Sequence, residues 1–259
     1  MKSLIRLALE EDIGTGDITS KACVPADRLA TGVFLAREHL VLAGVEVLEA
    51  LFEEITFEHR DGDELEDGEV IARVSGNAIT LLERERVSLN FVQHLSGIAT
   101  EARKYAKAVE GTGCKVLDTR KTTPGFRMLE KAAVKAGGVT NHRIGLFDAM
   151  LIKNNHITAA GGVAQALAKA PGAEIEVRTL AELEEALANG ATHLLLDNLT
   201  PEQAREWIRI VNRRAKVELS GGITLDTVRA YAEAGADFVS SGAITHSARA
   251  VDISFRLSL

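Results

Sequence analysis

Apolar residues in the C-terminal two-thirds of the chain recur as short runs separated by helical patterns. The runs are KVLDT (115–119), AMLIKN (149–154), AEIEVRT (173–179), THLLLDN (192–198), KVELSGG (216–222) and DFVSSGA (237–243). Between two of them, segment 180–190 repeats leucine every three or four positions and ends at Gly190, as an amphipathic helix does. Segment 200–215 begins with Thr200 as a helix cap. Strands that alternate with helices at this spacing predict βαβ units and a parallel sheet.

Polar or small residues follow these apolar runs at a regular interval. Lys153, Glu176, Asp197, Ser220 and Gly242 are separated by 23, 21, 23 and 22 residues, and each comes at or near the end of its predicted strand. In a parallel α/β barrel all strands open on one face at their carboxyl ends, where active sites are built. The pattern yields about six strands rather than eight. We therefore expect an incomplete or open barrel with a site at this face.

The N-terminal third has a different pattern. Segments 34–44 and 59–76 show short alternating runs with Asp-Gly turn pairs, which predict a small α+β or β-sandwich domain. Segment 79–111 has a long helical pattern that we expect to break near Gly97 and to join the two domains.

Composition is that of an ordinary globular enzyme, with 46% hydrophobic and 26% charged residues among 259. No run reaches the 18 or so apolar residues of a membrane span, and acidic residues near the N-terminus argue against a secretory signal. The two cysteines, Cys23 and Cys114, lie far apart in the chain, which favours a reduced thiol state over a disulfide framework or a zinc site. We expect a cytoplasmic protein that binds neither membranes nor nucleic acid.

Segment 115–153 is a basic island, with a local charge of +5 in a chain whose net charge is −7. An acidic protein with one basic island is suited to a small anion, because nucleic-acid binding usually leaves a basic overall footprint. The predicted loops and strand ends of this segment carry Arg120, Lys121, Arg143 and Lys153, beside His142. Guanidinium groups suit carboxylates and ammonium groups suit phosphates. Solvated cations, a structural histidine and a lysine that reaches solvent are the alternatives.

The next strand ends carry groups suited to a phosphorylated substrate. Glu176 and Asp197 offer carboxylate oxygens that would hold Mg²⁺ directly or through water, or would act as simple counter-ions. The loop at 220–222 offers backbone N–H groups at what the pattern predicts to be a helix start, and Gly242 repeats the device on the last strand. The loops after the last two strands of a barrel are the usual phosphate site.

With these residues in place, the chain resembles the quinolinate phosphoribosyltransferase family (nicotinate-nucleotide pyrophosphorylase, carboxylating) over nearly its whole length. The shared motifs are EEDIGTGDITS (10–20), ERVSLNFVQHLSGIAT (85–100), DTRKTTPG (118–125), the GG..NHR.GL.D pattern (137–148), MLIKNNH (150–156), EIEV (174–177), LLLDN (194–198), ELSGGI (218–223) and GAITHSA (242–248).

The resemblance implies an α/β fold, with an N-terminal α/β sandwich domain and an incomplete, about six-stranded α/β barrel. On this view the sandwich and its connecting helix occupy residues 1–100 and the barrel occupies 101–259, with the last residues free to return to the first domain. The implied reaction joins quinolinate to phosphoribosyl pyrophosphate with Mg²⁺, giving nicotinate mononucleotide, pyrophosphate and CO₂ for NAD synthesis.

The resemblance also implies roles for single residues. Arg86, Arg120, His142, Arg143 and Lys153 correspond to the quinolinate ligands. The phosphoribosyl pyrophosphate side corresponds to Lys121, Glu176, Asp197, Ser220, Gly221, Gly222, Gly242 and His246. Lys153, Glu176 and Asp197 are the implied catalytic residues, and the two carboxylates are the implied metal ligands.

The implied assembly is a homodimer in which Arg86 reaches the partner's site, with higher oligomers left open. Two residues depart from the family pattern: Asn154 stands where aspartate is frequent, and Arg178 stands where an acid near the metal carboxylates is common. The chain is also somewhat short at its N-terminus.

Three other functions remain open at this point. One is a related phosphoribosyltransferase for another anion, such as the molybdenum-transport-associated relatives of the family. A second is a sugar-phosphate aldolase or isomerase that uses Lys153 as a Schiff-base nucleophile. The third is a non-catalytic phosphate-binding regulator, against which the presence of both Glu176 and Asp197 argues.

Overall fold

A computed structural model describes all residues from Met1 to Leu259. The chain forms two compact units. Unit 1 comprises Met1–Arg103, Thr123–Gly138 and Ser247–Leu259, and unit 2 comprises Lys104–Thr122 and Val139–His246. The predicted domain boundary near residue 100 stays a prediction. No helix has the combined length and apolar character needed to cross a membrane.

Unit 1 contains five helices and six strands, with the last residues of the fourth helix belonging to unit 2. The helices are α1 (Lys2–Ile13), α2 (Ile18–Cys23), α3 (Val45–Leu51), α4 (Ala78–Ala108) and α5 (Arg127–Ala136). The strands are β1 (Leu29–Ala36), β2 (Leu40–Val41), β3 (Glu54–Phe57), β4 (Glu64–Leu65), β5 (Val70–Asn77) and the C-terminal β12 (Ile253–Ser258).

An antiparallel sheet in the order β12-β1-β5-β3 forms the framework of unit 1, and β2 pairs separately with β4. Alternate residues of β1 are buried, including the fully buried Phe34. The Phe34 ring centroid lies 4.9 Å from that of Phe255 on β12 and 5.7 Å from that of Phe52. These aromatic contacts join the C-terminal strand to the core of unit 1.

Helix α4 runs without interruption through Gly97, so the predicted break near this residue is wrong. A Cβ atom at position 97 would lie 2.0 Å from the backbone oxygen of Arg249. The glycine therefore permits close approach of another segment of unit 1 and does not terminate the helix.

Unit 2 alternates strands and helices as the sequence predicts. Its strands are β6 (Lys115–Leu117), β7 (Leu151–Ile152), β8 (Glu174–Val177), β9 (His193–Asp197), β10 (Lys216–Ser220) and β11 (Phe238–Ser240). Its helices are α6 (Asn154–Ala160), α7 (Val163–Lys169), α8 (Leu180–Ala188), α9 (Pro201–Val211), α10 (Leu225–Ala232) and α11 (Ala243–His246).

The six strands of unit 2 form one parallel sheet in the order β6-β11-β10-β9-β8-β7, with β6 and β7 left at the edges. The expected incomplete, six-stranded α/β barrel is confirmed. Leu194, Leu195 and Leu196 of β9 are all buried, which is typical of a strand covered on both faces. Since all strands are parallel, their carboxyl ends lie along one edge of the sheet.

One local expectation for this edge is wrong. The sequence predicts that a helix begins at Ser220–Gly222, directly after β10, but α10 begins at Leu225 with Thr224 as its N-cap. Gly221 and Gly222 have φ values of 103° and 62°, which keep the backbone out of a helical path. The N–H groups near Ser220 therefore belong to a glycine turn rather than to a first helical turn.

Candidate active site

A cavity of about 380 Å³ opens at the carboxyl ends of the unit 2 strands. Most of the predicted site residues line it: Arg120, Lys121, His142, Arg143, Lys153, Glu176, Asp197, Ser220, Gly221 and Gly222. The structure thus brings together residues that lie up to 102 positions apart in the sequence, as the regular strand-end spacing predicts.

Three predicted site residues do not line this cavity: Arg86, Gly242 and His246. Gly242 and His246 lie close to one of its cations, because a Cβ on Gly242 would be 2.8 Å from Lys121 Cδ and 3.0 Å from His246 Cδ2. The Thr245 hydroxyl donates to the Lys121 carbonyl at 2.8 Å. Arg86 is exposed on α4 in unit 1.

Two guanidinium groups of the cavity are close enough to repel one another. The pKa of Arg143 lies below its usual value because of partial burial, and the positive charge of Arg120 adds to the effect. The Arg143 Nη1 atom donates to the backbone oxygen of Ala149 at 3.2 Å, which fixes the side chain. Like charges held together cost free energy, and an anion placed between them removes that cost.

His142 lies between two carboxylates. Its Nε2 atom is 3.2 Å from Glu174 Oε2 and 3.3 Å from the buried Glu218 Oε2. These two bonds raise the pKa of His142 to about 9, Glu174 making the larger contribution. The backbone N–H of Arg143 donates to His142 Nδ1 at 2.7 Å, and this bond opposes protonation of Nδ1. Its effect on the pKa of His142 is smaller than that of the two carboxylates, because the amide is neutral. Burial raises the pKa of Glu218.

The backbone at His142 is fixed by a residue that the sequence analysis did not select. Asp118 is fully buried, lines the cavity and accepts the His142 N–H at 2.7 Å through Oδ1. The ligand atoms of His142, Glu174 and Glu218 all lie within 4.8 Å of one another. At this spacing the three side chains could also hold a divalent ion.

The predicted metal carboxylates form one network with two cations. Glu176 Oε1 accepts from Arg178 Nη2 at 2.7 Å, and Lys153 Nζ lies 4.0 Å from Glu176 Oε2. Asp197 Oδ2 lies 3.6 Å from Arg178 Nε and accepts from Asn198 Nδ2 at 2.7 Å. Both carboxylate groups are largely buried. Their oxygen atoms suit Mg²⁺, which takes one or two protein carboxylates and completes its shell with water and substrate oxygens.

The glycine turn after β10 packs closely on the end of β9. Asn198 has φ 60° and donates its N–H to the Ser220 carbonyl at 2.9 Å. A Cβ at Gly221 would lie 2.4 Å from Asn198 Oδ1, so only glycine allows this approach. The turn presents backbone groups to the cavity with no side chain at Gly221 or Gly222 to block them.

The sequence analysis missed four residues that line the cavity, Asp118, Asn198, Glu218 and Ser240, and also Glu174, which contacts His142. Strand alternation is a signal that identifies two of them. Glu174 precedes Glu176 by two positions, and Glu218 precedes Ser220 by two, so each pair shares a face of its strand. Asp118 and Asn198 follow β6 and β9 directly.

Comparison with known proteins places the chain in a family. A model of the quinolinate phosphoribosyl transferase N-terminal domain matches residues 17–96, and a model of the corresponding C-terminal domain matches residues 98–256. The probable nicotinate-nucleotide pyrophosphorylase [carboxylating] of Bacillus subtilis is 40% identical, over 100% of this chain and 94% of that protein. The chloroplastic enzyme of the same name from Arabidopsis thaliana is 39% identical, over 99% of this chain and 82% of that protein.

Solved structures agree with these matches. The nicotinate-nucleotide pyrophosphorylase from Ehrlichia chaffeensis superposes with a TM-score of 0.95 at 35% identity, covering 100% of this chain and 98% of that chain. The structure from Francisella tularensis gives 0.93 at 41% identity, with 99% and 95% covered. The α/β architecture, with its cation-lined cavity in unit 2, is therefore that of a phosphoribosyltransferase. The chain belongs to the quinolinate phosphoribosyltransferase family.

Proposed function

We propose that the cavity of unit 2 carries out the family's reaction, with quinolinate held by its cations and phosphoribosyl pyrophosphate on its glycine side. Family membership makes the chain a decarboxylating phosphoribosyltransferase that forms nicotinate mononucleotide, pyrophosphate and CO₂ for NAD synthesis. The observation that carries the assignment of quinolinate to the cavity is that Arg120, Arg143 and Lys153 line one cavity together, since a dicarboxylate is the kind of ligand that several cations suit.

The quinolinate side consists of Arg120, His142, Arg143 and Lys153. The two guanidinium groups are suited to bidentate bonds with carboxylates, and a protonated His142 adds a further donor. Each charge-assisted bond is worth about 1.5–3 kcal/mol. Arg86 of a partner subunit is proposed as the remaining cation, because Arg86 is exposed on α4 and matches the family's quinolinate ligand.

The phosphoribosyl pyrophosphate side consists of two groups of residues. Lys121 and its neighbour His246 are proposed to bind the pyrophosphate. Ser220, Gly221 and Gly222, with Gly242 on the next strand, are proposed to bind the 5′-phosphate through backbone N–H groups. Glu176 and Asp197 are proposed to hold the ribose and Mg²⁺.

The chemistry follows from this arrangement of charges. Bound Mg²⁺ would neutralise charge on the departing pyrophosphate. The carboxylates of Glu176 and Asp197 stabilise the positive charge that develops on the ribose as pyrophosphate departs. The pyridine nitrogen attacks C1′ as pyrophosphate leaves. The 2-carboxylate then departs as CO₂, its electron pair stays on C2 where the adjacent cationic nitrogen stabilises it, and C2 takes up a proton to give nicotinate mononucleotide. Lys153 is proposed to contact quinolinate next to the ribose carboxylates, and its Nζ atom, 4.0 Å from Glu176 Oε2, supports this role.

We further propose that the protein acts as a homodimer in the cytoplasm. The proposal of a dimer is supported by the positions of the proposed quinolinate ligands. Arg86 belongs to unit 1, whereas the other ligands belong to unit 2. The cytoplasmic location rests on Cys23 and Cys114, which are both free thiols.

An acceptor panel tests the proposal against the related-phosphoribosyltransferase alternative. The purified protein would be given phosphoribosyl pyrophosphate, Mg²⁺ and one acceptor at a time: quinolinate, nicotinate or molybdate, with nucleotide products identified by mass spectrometry. We expect nicotinate mononucleotide from quinolinate alone. Product from nicotinate at a comparable rate, or none from quinolinate, would refute the acceptor assignment.

A further inference from the structure

Arg178 lines the cavity and has no role in the proposed reaction. It follows the last residue of β8, and residues 174, 176 and 178 share one face of that strand by alternation. Val177 pairs with Leu196 of β9, so the next position in the register sets Arg178 opposite Asp197. The Arg178 N–H donates to Glu182 Oε2 at 2.7 Å, which fixes its backbone.

The Arg178 side chain bridges the two carboxylates proposed to hold the metal. Nη2 donates to Glu176 Oε1 at 2.7 Å, and Nε lies 3.6 Å from Asp197 Oδ2. The two carboxylates are largely buried, whereas the Arg178 side chain is 49% exposed. One half-exposed cation therefore neutralises part of a largely buried pair of negative charges. Its exposure lets it leave without opening the core.

We propose that Arg178 is a built-in counter-cation that competes with free divalent metal for Glu176 and Asp197 and yields to metal only together with the substrate's pyrophosphate. The proposal rests on the proposed metal-binding role of the two carboxylates. A divalent ion that binds alone must displace the Arg178 guanidinium from the carboxylates. The displaced guanidinium stays nearby and repels the ion, so competition and repulsion both weaken metal binding. Pyrophosphate oxygens offer the displaced guanidinium new acceptors, so that metal and pyrophosphate bind cooperatively.

The test measures binding and not turnover. Free Mn²⁺ would be followed by its electron paramagnetic resonance signal, with and without inorganic pyrophosphate, in the wild-type protein and in Arg178→Gln and Arg178→Lys. We expect Arg178→Gln to bind Mn²⁺ alone roughly fivefold or more tightly than wild type, and the gain on adding pyrophosphate to shrink correspondingly. Arg178→Lys keeps the positive charge but lacks the planar donor groups of guanidinium. Its Mn²⁺ affinity should therefore lie between those of wild type and Arg178→Gln.

Two matched variants separate bridging from a general change in charge. Arg143→Gln removes the same charge from the same cavity without touching the carboxylate pair, so its effect on Mn²⁺ binding should be much smaller. Arg209→Gln removes an exposed charge on α9 and should have no effect. Equal effects of Arg178→Gln and Arg143→Gln would overturn the proposal, as would unchanged Mn²⁺ affinity in Arg178→Gln.

A final variant distinguishes this proposal from the metal assignment itself. Glu176→Gln should abolish the tight Mn²⁺ binding gained in Arg178→Gln when the two substitutions are combined. If the double variant binds as tightly as Arg178→Gln, the metal does not use Glu176, and the proposed metal site fails. If Glu176→Gln weakens Mn²⁺ binding but Arg178→Gln does not strengthen it, the metal site stands and the role of Arg178 is wrong.

Discussion

The cations of the cavity are not interchangeable, and Arg120 shows why. Its guanidinium group can form two parallel bonds to one carboxylate, which an ammonium group cannot copy. We predict that Arg120→Lys weakens quinolinate binding by on the order of tenfold or more while phosphoribosyl pyrophosphate binding changes little. Calorimetry with each ligand measures both affinities, and Arg205→Lys on the exposed surface of α9 is the control. Equal losses for both ligands would remove Arg120 from the quinolinate side.

If His142 binds quinolinate as proposed, its charge should make that binding depend on pH. The pKa of His142 is raised to about 9, so its positive charge is present well below pH 9 and is lost as pH rises through that value. We predict that wild-type affinity for quinolinate declines across this range. Glu174→Gln removes the larger cause of the raised pKa, so the decline should begin at lower pH.

The control for this pH experiment is Glu184→Gln, an exposed carboxylate on α8 that lies outside the cavity. Binding would be measured by calorimetry from pH 7 to 10 in all three proteins. If the midpoint in Glu174→Gln coincides with that of wild type and the control, the charge of His142 does not govern binding.

At the residue scale the sequence predicts the side chains that end each strand, but not their partners. Lys153, Glu176 and Asp197 were identified because strand ends are visible in the apolar pattern. The pairing of His142 with Glu174 and Glu218 depends on three segments that meet only after folding. The bridging position of Arg178 likewise depends on the register between β8 and β9.

At the scale of single elements, local sequence patterns predict helices and strands well. They predict poorly which segments, distant in sequence, pack against those elements. Thr200 caps α9 as expected, accepting the Gln203 N–H, because capping involves only neighbouring residues. Gly97 was misread as a helix break because glycine weakens a helix, and nothing nearby in sequence reveals the approach of Arg249. The turn after β10 is longer than expected because of two glycines with positive φ.

The close approach at Gly97 leads to a stability prediction. Gly97→Ala would gain about 1 kcal/mol of helix propensity, but its methyl group would overlap the Arg249 backbone oxygen. We predict a net destabilisation of about 1–3 kcal/mol, seen as a lower melting temperature in calorimetry. Asn90→Ala, at an exposed position of the same helix, is the control and should not lower it. An unchanged or higher melting temperature in Gly97→Ala would contradict the packing.

At the scale of the whole molecule, the order of the strands within each sheet is the feature that the sequence predicts least well. The rhythm of strands and helices predicts an open six-stranded barrel, and the resemblance implies the sandwich. The pairing of the C-terminal β12 with β1 joins segments more than 200 positions apart, which no local pattern encodes. The same limit applies to the proposed dimer, because a site shared between subunits would depend on a second chain.

The proposed sharing of the active site between two subunits gives a prediction about mixed dimers. Arg86→Ala and Lys153→Ala should each be nearly inactive as homodimers, since each breaks both sites. After subunit exchange, a mixed dimer has one site with both lesions and one with none. With random pairing, activity should recover to about a quarter of wild type. Each variant exchanged with itself is the control. If mass spectrometry shows that subunits have exchanged but activity does not recover, Arg86 contributes to the active site of its own chain.

The most direct test of the central claim follows the carboxyl carbon that leaves. Quinolinate labelled with ¹⁴C at either the 2- or the 3-carboxyl group would be incubated with the protein, phosphoribosyl pyrophosphate and Mg²⁺, and labelled CO₂ and pyrophosphate would be counted together. Because the positive charge of the alkylated ring nitrogen stabilises the electron pair left on the adjacent C2 atom, we predict label from the 2-position only, with one CO₂ released per pyrophosphate. Pyrophosphate released without CO₂, or label from the 3-position, would contradict the account.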